Sequence, residues 1–356
     1  MTTQSEQTKF VRIEEKIELV ELAENPNTPS YILRELSIDN DKDVVYRIAE
    51  NPNTPKDILI KFNESQDWIL KYYIAGNPST PINILKALSV NNNWEVRAAI
   101  AWNPSTPIDL LEILIKDEYY NVRRYATENI NLPIKNLEDL SKSEDENIRM
   151  GVALNPNTPL DILIKLSKDK NTWVKQNIID NPNTPIDILI KLSEDSEWEI
   201  RSEVAKNLKI PSNILEILSE DNKIEVRRSI AWNPKTPTNV LIKLSEDSEW
   251  EIRNEVARNF NTPIETLIQL SKDKDDSVKK NAIKTLEQKD KELNIKIDNN
   301  KNTLEDLFKN KNIDPNSKIG LELLKVYNDT QDKLKIELED LKTQVVDIAT
   351  NDFLDR

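Results

Sequence analysis

The feature that most constrains this chain is an asparagine that recurs every 26 residues. It occupies ten successive positions: Asn25, Asn51, Asn77, Asn103, Asn129, Asn155, Asn181, Asn207, Asn233 and Asn259. A proline follows each asparagine four residues later, from Pro29 to Pro263. A fixed period of this length over most of a chain is typical of a solenoid, in which each unit buries its apolar face against its neighbours. We therefore predict stacked repeats rather than a globular domain.

Each repeat begins with a helix-start signal, which we take from the repeat that follows Asn103. We predict Thr106 as the helix N-cap and Pro107 as the first helical residue, where its missing N–H costs nothing. Asp109 then falls three residues after the threonine, so the pair predicts a capping box. This helix, helix A, presents two columns of mainly leucine residues three positions apart, as at Leu111 and Leu114.

A second helix, helix B, precedes each repeating asparagine. Its apolar residues recur four positions apart, as at Val96 and Ile100, and so lie on one side of a helix. The asparagine then ends helix B. It either adopts the left-handed conformation in place of glycine or caps the helix with its side chain.

The repeated run Asn-Pro-Asn-Thr-Pro-Xaa-Asp-Ile-Leu-Ile-Lys-Leu-Ser, followed by a Val/Ile-Arg pair, resembles the leucine-rich repeat variant family. The second half of each repeat also resembles HEAT-type repeats. The resemblance covers residues 14–285 and implies a right-handed superhelix that binds partners. We therefore predict an all-α, right-handed α-solenoid of about ten 26-residue two-helix repeats with a C-terminal helical tail. Some family members hold a cysteine-ligated iron–sulfur cluster, which cannot apply to a chain without cysteine.

The predicted organisation has four segments. Residues 1–13 precede the repeats, residues 14–286 form them, and residues 287–316 form a charged connector or frayed helix. Residues 317–350 predict an amphipathic helix whose apolar positions between Leu324 and Ile348 alternate three and four residues apart, with Gln331 as a polar exception. This helix either mediates self-association or partner docking, or folds back to cap the last repeat.

Composition excludes several classes of chemistry. With no cysteine and no histidine, the chain has no disulfides, no thiolate or imidazole metal ligands and no Cys or His nucleophile–base pair. A net charge of −14 disfavours nucleic acid unless one face segregates its cations. We find no signal peptide and no membrane span, and so expect a soluble, cytoplasmic protein. We expect no enzymatic activity, cofactor or metal, because no catalytic carboxylate cluster is apparent.

A basic residue follows the core position of helix B in nine repeats. The members of this basic column are Lys71, Arg97, Arg123, Arg149, Lys175, Arg201, Arg227, Arg253 and Lys279. We favour a ladder between repeats, in which each cation binds carboxylates or carbonyls of acidic turns. The alternative is a cationic stripe that contacts phosphates, with aromatic residues such as Trp94 stacking beside it.

Three columns of helix B vary while the rest of the repeat is regular, and these columns should point outward. Aromatic and arginine side chains at such positions are typical interface anchors. The candidates for a binding surface are Tyr46, Tyr72, Trp102, Arg124, Trp173, Arg228 and Trp232. The alternative is a solvated face with scattered aromatics. The sequence thus favours a non-catalytic scaffold that binds a protein or peptide, with a nucleic-acid binder as the alternative.

Overall fold

The computed structural model describes residues 16–39, 41–310, 324–336 and 339, and α-helix is the regular secondary structure throughout them. The helices are α1 (16–24), α2 (Ser30–Leu36), α3 (Lys42–Glu50), α4 (Lys56–Phe62), α5 (Trp68–Gly76), α6 (Ile82–Leu88), α7 (Trp94–Trp102), α8 (Ile108–Leu114), α9 (Tyr120–Glu128), α10 (Ile134–Leu140), α11 (Glu146–Leu154), α12 (Leu160–Leu166), α13 (Thr172–Asp180), α14 (Ile186–Leu192), α15 (Trp198–Lys206), α16 (Ser212–Leu218), α17 (Ile224–Trp232), α18 (Thr238–Leu244), α19 (Trp250–Arg258), α20 (Ile264–Leu270), α21 (Asp276–Asn310) and α22 (324–336). From α2 to α20 the even-numbered helices are helix A and the odd-numbered ones helix B. The all-α, two-helix repeat is therefore confirmed.

The chain forms two compact units, Met1–Pro185 and Ile186–Arg356. Within each unit, each B helix packs against the B helix of the next repeat and against an A helix. The first leucine column of helix A, from Leu33 to Leu267, is at most 1% exposed, as expected for a core position. The opposing residues of helix B, such as Val96 and Ile100, are fully buried. Burial of both columns between neighbours supplies the hydrophobic stabilisation that a single repeat lacks.

The predicted capping box is wrong. Helix α8 begins at Ile108, one residue after Pro107, and no side chain caps its start. The Thr106 hydroxyl instead donates a 2.6 Å hydrogen bond to the carbonyl of Ile100, in the last turn of the preceding B helix. The carboxylate of Asp109 pairs with Lys86 at 2.9 Å. The physical reason is that the last carbonyls of a helix lack intrahelical partners, and the threonine is placed to satisfy one of them.

The repeating asparagine caps through its side chain, and the left-handed alternative is wrong. Asn103 follows α7 with φ −63° and ψ 123°, an extended conformation. Its side-chain nitrogen donates to the carbonyls of Asn77 (2.8 Å) and Ala75 (2.7 Å), which end the preceding B helix. Its side-chain oxygen accepts from the Ser105 N–H at 2.8 Å. The repeated bonds form an asparagine ladder in each unit, and its members are buried.

The repeats end inside a long helix. At the position where the next asparagine is due, Thr285 donates to the carbonyl of Ala257 at 2.7 Å, and α21 continues through Asn310. The charged segment predicted as a connector is therefore helical as far as Asn310. In α22, Gln331 is only 3% exposed, although it is the polar member of the predicted heptads. Residues 1–13 and the later heptad positions, Leu338 to Ile348, lie outside the described residues.

Candidate binding face on the B helices

The six arginines of the basic column all pair with an aspartate of the following turn. In the first of these pairs, Nε and Nη2 of Arg97 donate to the Asp117 carboxylate at 2.6 and 2.9 Å, and Nη1 donates to the carbonyl of Asn91 at 2.7 Å. The other pairs are Arg123–Asp145, Arg149–Asp169, Arg201–Asp221, Arg227–Asp247 and Arg253–Asp273. The guanidinium thus links the turn before its own helix to the turn before the next B helix.

Arg97 and Asp117 are stabilised in their charged forms. Burial raises the pKa of Asp117, but hydrogen bonds from Arg97 and the Tyr119 N–H, with the charge of Arg97, more than offset it, so the pKa lies below its usual range. The hydrogen bond to Asp117 raises the pKa of Arg97. Arg97 is only 7% exposed, so its guanidinium is largely removed from solvent.

The lysines of the basic column differ from the arginines. Lys175 is buried, Lys71 is half-buried, and Lys279 lies 3.0 Å from Asp276 in its own helix. Helix B of the first repeat has Val45 at this position. The column is therefore most regular where it carries arginine, which can bond two groups with one planar head.

One aromatic residue at the start of helix B, Trp94, packs between repeats, whereas Trp68, Tyr120 and Trp250 at the same position are exposed. Trp94 stacks on Tyr119 of the following turn, with ring centroids 5.8 Å apart and an interplanar angle of 15°. The Arg97 guanidinium lies 5.4 Å from the centroid of the same tyrosine ring. Tyr119 therefore serves as the shared platform, a role that the spacing of Trp94 and Arg97 does not indicate.

The variable outward columns form a cleft in the first unit, which we call the Trp102 cleft. Its volume is about 440 Å³, within the range of small-ligand sites. It is lined by Glu50, Tyr72, Tyr73, Gly76, Ala98, Ala99, Trp102 and Tyr125, from four successive B helices. The Trp102 and Tyr125 rings meet at 73° and the Tyr72 and Tyr73 rings at 75°, each pair in edge contact. Two pairs of rings therefore border one cleft, and within each pair the ring planes are nearly perpendicular.

The cleft exists because two outward positions carry small residues. Gly76 stands where neighbouring repeats have Glu50 and Trp102, and Ala98 stands where they have Tyr72 and Arg124. A Cβ placed on Gly76 would meet no atom within 4 Å. The glycine is therefore not required by packing, and its missing side chain leaves open space beside Trp102.

The electrostatic environment of the Trp102 cleft is acidic. Burial raises the pKa of Tyr72, and the neighbouring Tyr73, Glu50, Tyr125 and Glu95 raise it further. Negative charge disfavours the phenolate and would favour a cation in the same place. One cation of the chain is close by, because Arg47 Nη1 donates to Glu50 Oε2 at 2.7 Å.

A second cleft of about 500 Å³ adjoins Tyr46 and Tyr73 at the start of the repeats. The Tyr46 hydroxyl donates to Asp67 Oδ2 at 2.8 Å, and its ring stacks on Tyr73 at 5.6 Å. Lys42 also bonds Asp67 at 2.8 Å, and its hydrogen bond leads the effects that lower the pKa of Asp67 to about 2. Tyr46 is thus held in place on both its ring and its hydroxyl.

The second unit has its own cleft, which we call the Trp232 cleft. Its volume is about 310 Å³, and it is lined by Lys206, Arg228, Ser229, Trp232 and Glu255. Trp232 occupies the same column as Trp102, and the two indoles are 56% and 58% exposed. The charges differ, since the Trp232 cleft contains two cationic side chains and one carboxylate, whereas Glu50 is the charged residue that lines the Trp102 cleft.

Two of the seven predicted surface residues lie apart from these clefts. Trp173 is 64% exposed and lines none of the three clefts described above. Arg124 is half-buried, with its Nε 4.0 Å from Glu128 Oε2, and neither of these atoms has a hydrogen-bond partner. Burial raises the pKa of Glu128, and the charge of Arg124 only partly offsets that effect. The structure therefore brings Tyr72 and Trp102 together, and Arg228 and Trp232 together.

One column that lines all three clefts is not among the outward columns predicted from the sequence. It runs Arg47, Tyr73, Ala99, Tyr125 in the first unit and includes Ser229 and Glu255 in the second. The signal was available, because this position lies four residues after one predicted outward column and three before another, on the same helix face. The residue at this position also changes in size and charge from repeat to repeat, as expected for a position that contacts a partner.

No protein-family model matches the chain, and no curated protein matches it. Among solved structures, the chain is similar to importin beta crystallised in an ammonium sulfate condition, at 14% identity and a TM-score of 0.22. That match covers 76% of this chain but 36% of importin beta, so the chain spans about a third of its length. An engineered protein matches at 18% identity and a TM-score of 0.17, over 76% of this chain and 95% of its own. A computationally designed armadillo repeat protein for modular peptide recognition matches at 15% identity and a TM-score of 0.13, over 76% and 98% of the two chains.

Two features are absent from the described part of the chain. It contains no helix long and apolar enough to cross a membrane. The same residues contain no group of three or more acidic side chains placed to hold a metal ion.

Proposed function

We propose that this chain is a non-catalytic scaffold that binds a protein or peptide along the outward face of its B helices. The observation that carries the proposal is the Trp102 cleft, where exposed aromatic side chains from successive repeats line one recess. Tryptophan, tyrosine and arginine are the residues that most often dominate binding energy at interfaces. The Trp232 cleft supplies a second recess of the same column in the other unit.

The ladders support this proposal because they hold the recognition face rigid. Within each unit, asparagines such as Asn103 bond the preceding repeat, and the arginines of the column bond the following turn. A surface that is ordered before binding loses less conformational entropy when a partner docks. Within each unit, the repeats therefore present their variable residues at a regular spacing, and the entropic cost of binding is smaller.

The nucleic-acid alternative receives less support. The arginines that would contact phosphates are engaged with aspartates, and Arg97, Arg149 and Arg253 are almost fully buried. A phosphate would have to displace a carboxylate that is already bonded in two-pronged geometry. The net charge of −14 adds a general repulsion.

Three finer assignments from the sequence stay proposals. Membership of the leucine-rich repeat variant family rests on the repeated Asn-Pro-Asn-Thr-Pro run. Self-association through Leu324–Ile348 rests on the heptad pattern, and the cytoplasmic location rests on the sequence alone.

A peptide-display selection on the immobilised full chain tests the scaffold function. We expect selected peptides to lose at least about tenfold in affinity for Trp102→Ala or Tyr72→Ala, as for truncation of an interface anchor. Tyr31→Ala is the matched control, because Tyr31 is an exposed aromatic on helix A, 63% exposed. The proposal fails if cleft variants bind as well as wild type, or if the chain binds duplex DNA at low salt and no peptide.

A further inference from the structure

We propose that the Trp102 cleft is a site for an alkylammonium group, carried by a lysine side chain of the partner and bound more tightly when that lysine is methylated. The lysine-bearing partner rests on the proposed function, whereas the ammonium site itself does not. Three independent properties of the cleft lead to this ligand: its rings, its charge and its open floor.

The rings provide the first argument. Trp102, Tyr72, Tyr73 and Tyr125 all border the recess, and the two edge contacts set ring planes at 73° and 75° to each other. Faces at right angles can approach a rounded cation from different sides. The negative face of an aromatic ring attracts an ammonium group, and tryptophan does so most strongly. An apolar segment would gain from the same rings, so charge must decide between the two occupants.

The charge provides the second argument. Glu50 lines the cleft. Burial is the main effect that raises the pKa of Tyr72, and the negative charges of Glu50 and Glu95 add to it. A field that disfavours a phenolate also disfavours a bound carboxylate and favours a cation. Arg47 partly neutralises Glu50 through its 2.7 Å hydrogen bond, and Arg47 lines the neighbouring Tyr46 cleft instead of this one. Glu50, Glu95 and Arg47 together carry an excess of one negative charge.

The floor provides the third argument. Gly76, Ala98 and Ala99 are the small residues of the recess, and a Cβ on Gly76 would meet nothing within 4 Å. An alkylammonium head is bulkier than the amide groups of a peptide backbone and needs such space. Filling it from position 76 should therefore block the ligand without disturbing the repeat.

The Trp232 cleft provides an internal control. It has the same tryptophan column, but its charged lining residues are Lys206, Arg228 and Glu255, which leave an excess of one positive charge. A quaternary ammonium ion should be repelled there by like charge. If charge decides the binding, an ammonium ion will therefore bind at Trp102 and not at Trp232 in the same molecule.

The test uses choline and its uncharged isostere 3,3-dimethylbutan-1-ol on the full chain at constant ionic strength. The indole N–H signals of the seven tryptophans are followed by ¹H–¹⁵N correlation spectroscopy, with Trp102 and Trp232 assigned by Trp→Phe variants. We expect choline to shift the Trp102 signal saturably and to leave Trp232 unmoved. The alcohol should bind at least about tenfold more weakly if the charge contributes as a cation–π contact does.

Variants of the cleft then separate the contribution of charge to choline binding from that of the open space. Glu50→Gln should weaken choline binding several-fold, Arg47→Gln should strengthen it, and Gly76→Leu should abolish it while thermal unfolding stays as in wild type. An equal response to choline and the alcohol would make the site merely apolar and overturn the inference. Absence of any Trp102 shift, or equal shifts of Trp102 and Trp232, would also overturn it.

Peptides connect the site to its partner. A peptide obtained from the display selection is synthesised with trimethyllysine, lysine or norleucine at a central position. We expect its affinity for the chain to fall in that order. If peptide binding depends on Trp102 but is the same for trimethyllysine, lysine and norleucine, the scaffold function is supported and the ammonium site is contradicted. Choline binding without any Trp102-dependent peptide would keep the ammonium site and remove the scaffold function.

Discussion

The side-chain nitrogen of Asn103 donates to the backbone carbonyl of Asn77, its counterpart one repeat earlier, at 2.8 Å. The same nitrogen donates to Ala75, and the side-chain oxygen accepts from Ser105. One buried amide therefore caps the preceding helix, holds its own turn and joins two repeats. Only an amide has both two donors and an acceptor in this geometry, which explains why the residue is asparagine in every repeat.

We expect Asn103→Asp to destabilise the fold by about 3 kcal/mol or more, because a buried carboxylate would replace the donor and face two carbonyl oxygens. The midpoint of urea unfolding measures the loss, and amide exchange should place it in the neighbouring repeats. The matched control is Asn131→Ser. Asn131 bonds Pro104 from an exposed position, and the corresponding residues Ser79 and Ser105 make the same bond. A cost below about 1 kcal/mol for Asn103→Asp would contradict the role of the ladder.

Arg97→Met should cost about 3–5 kcal/mol, because it leaves the buried carboxylate of Asp117 without its cation. The double change Arg97→Met/Asp117→Asn should recover part of that loss, since asparagine can still accept from the Tyr119 N–H. Lys86→Met is the control, because the Lys86–Asp109 pair is exposed and should contribute less than about 1 kcal/mol. Equal effects of Arg97→Met and Lys86→Met on the unfolding midpoint would show that the buried pair has no special role.

Two glycines in the described helices, Gly76 and Gly151, pack differently and should respond differently to alanine. A Cβ on Gly151 would lie 2.6 Å from the Arg124 carbonyl oxygen and 2.7 Å from Thr127 Cβ, so Gly151→Ala must force α9 and α11 apart. Overpacking of this kind costs about 1–3 kcal/mol. Gly76→Ala meets open space and should be neutral or stabilising by up to about 1 kcal/mol. Thermal unfolding of both variants tests this contrast. A loss of stability in Gly76→Ala but not in Gly151→Ala would contradict it.

Asp67 should make the stability of the first repeats depend on pH. Its pKa is about 2 in the folded chain, lowered chiefly by the hydrogen bond from Lys42, against an ordinary value of 3.8. A carboxylate with a depressed pKa stabilises the fold above its unfolded pKa, and this contribution is lost as pH falls through the folded pKa. The contribution of Asp67 should therefore be complete above about pH 4 and disappear toward pH 2.

Asp67→Asn isolates this charge, because asparagine can still cap α5 by accepting from the Ile69 N–H. The difference in unfolding midpoint between wild type and Asp67→Asn should be constant from pH 7 to pH 5 and shrink below pH 4. Asp139→Asn is a suitable control, since that carboxylate is exposed and lies 3.8 Å from Lys142. If the difference in unfolding midpoint stays the same between pH 5 and pH 2.5, the charge of Asp67 does not contribute to stability, and the effect of the substitution has another cause.

The predicted outward columns were informative but incomplete. Tyr72 and Trp102 were expected at the surface, and they share a cleft, whereas Trp173 lies outside the clefts. Tyr73 and Tyr125 were missed because their position lies close to the helix contact, where side-chain size is usually decided by packing. Exposure at such a position depends on whether the neighbouring repeat carries a small residue, as Ala99 does.

The sequence by itself determined the repeat, the two helices, their buried columns and the residue that ends each helix B. These features follow from periodicity and from groups only a few positions apart, so local chemistry specifies them. Only the tertiary structure decided where the polar side chains bond. Thr106 bonds back to Ile100, and Arg97 reaches Asp117 twenty residues on, because unsatisfied carbonyls and carboxylates of adjoining turns lie close by. The Trp102 cleft likewise depends on rings from separate helices, which become neighbours only when the repeats stack.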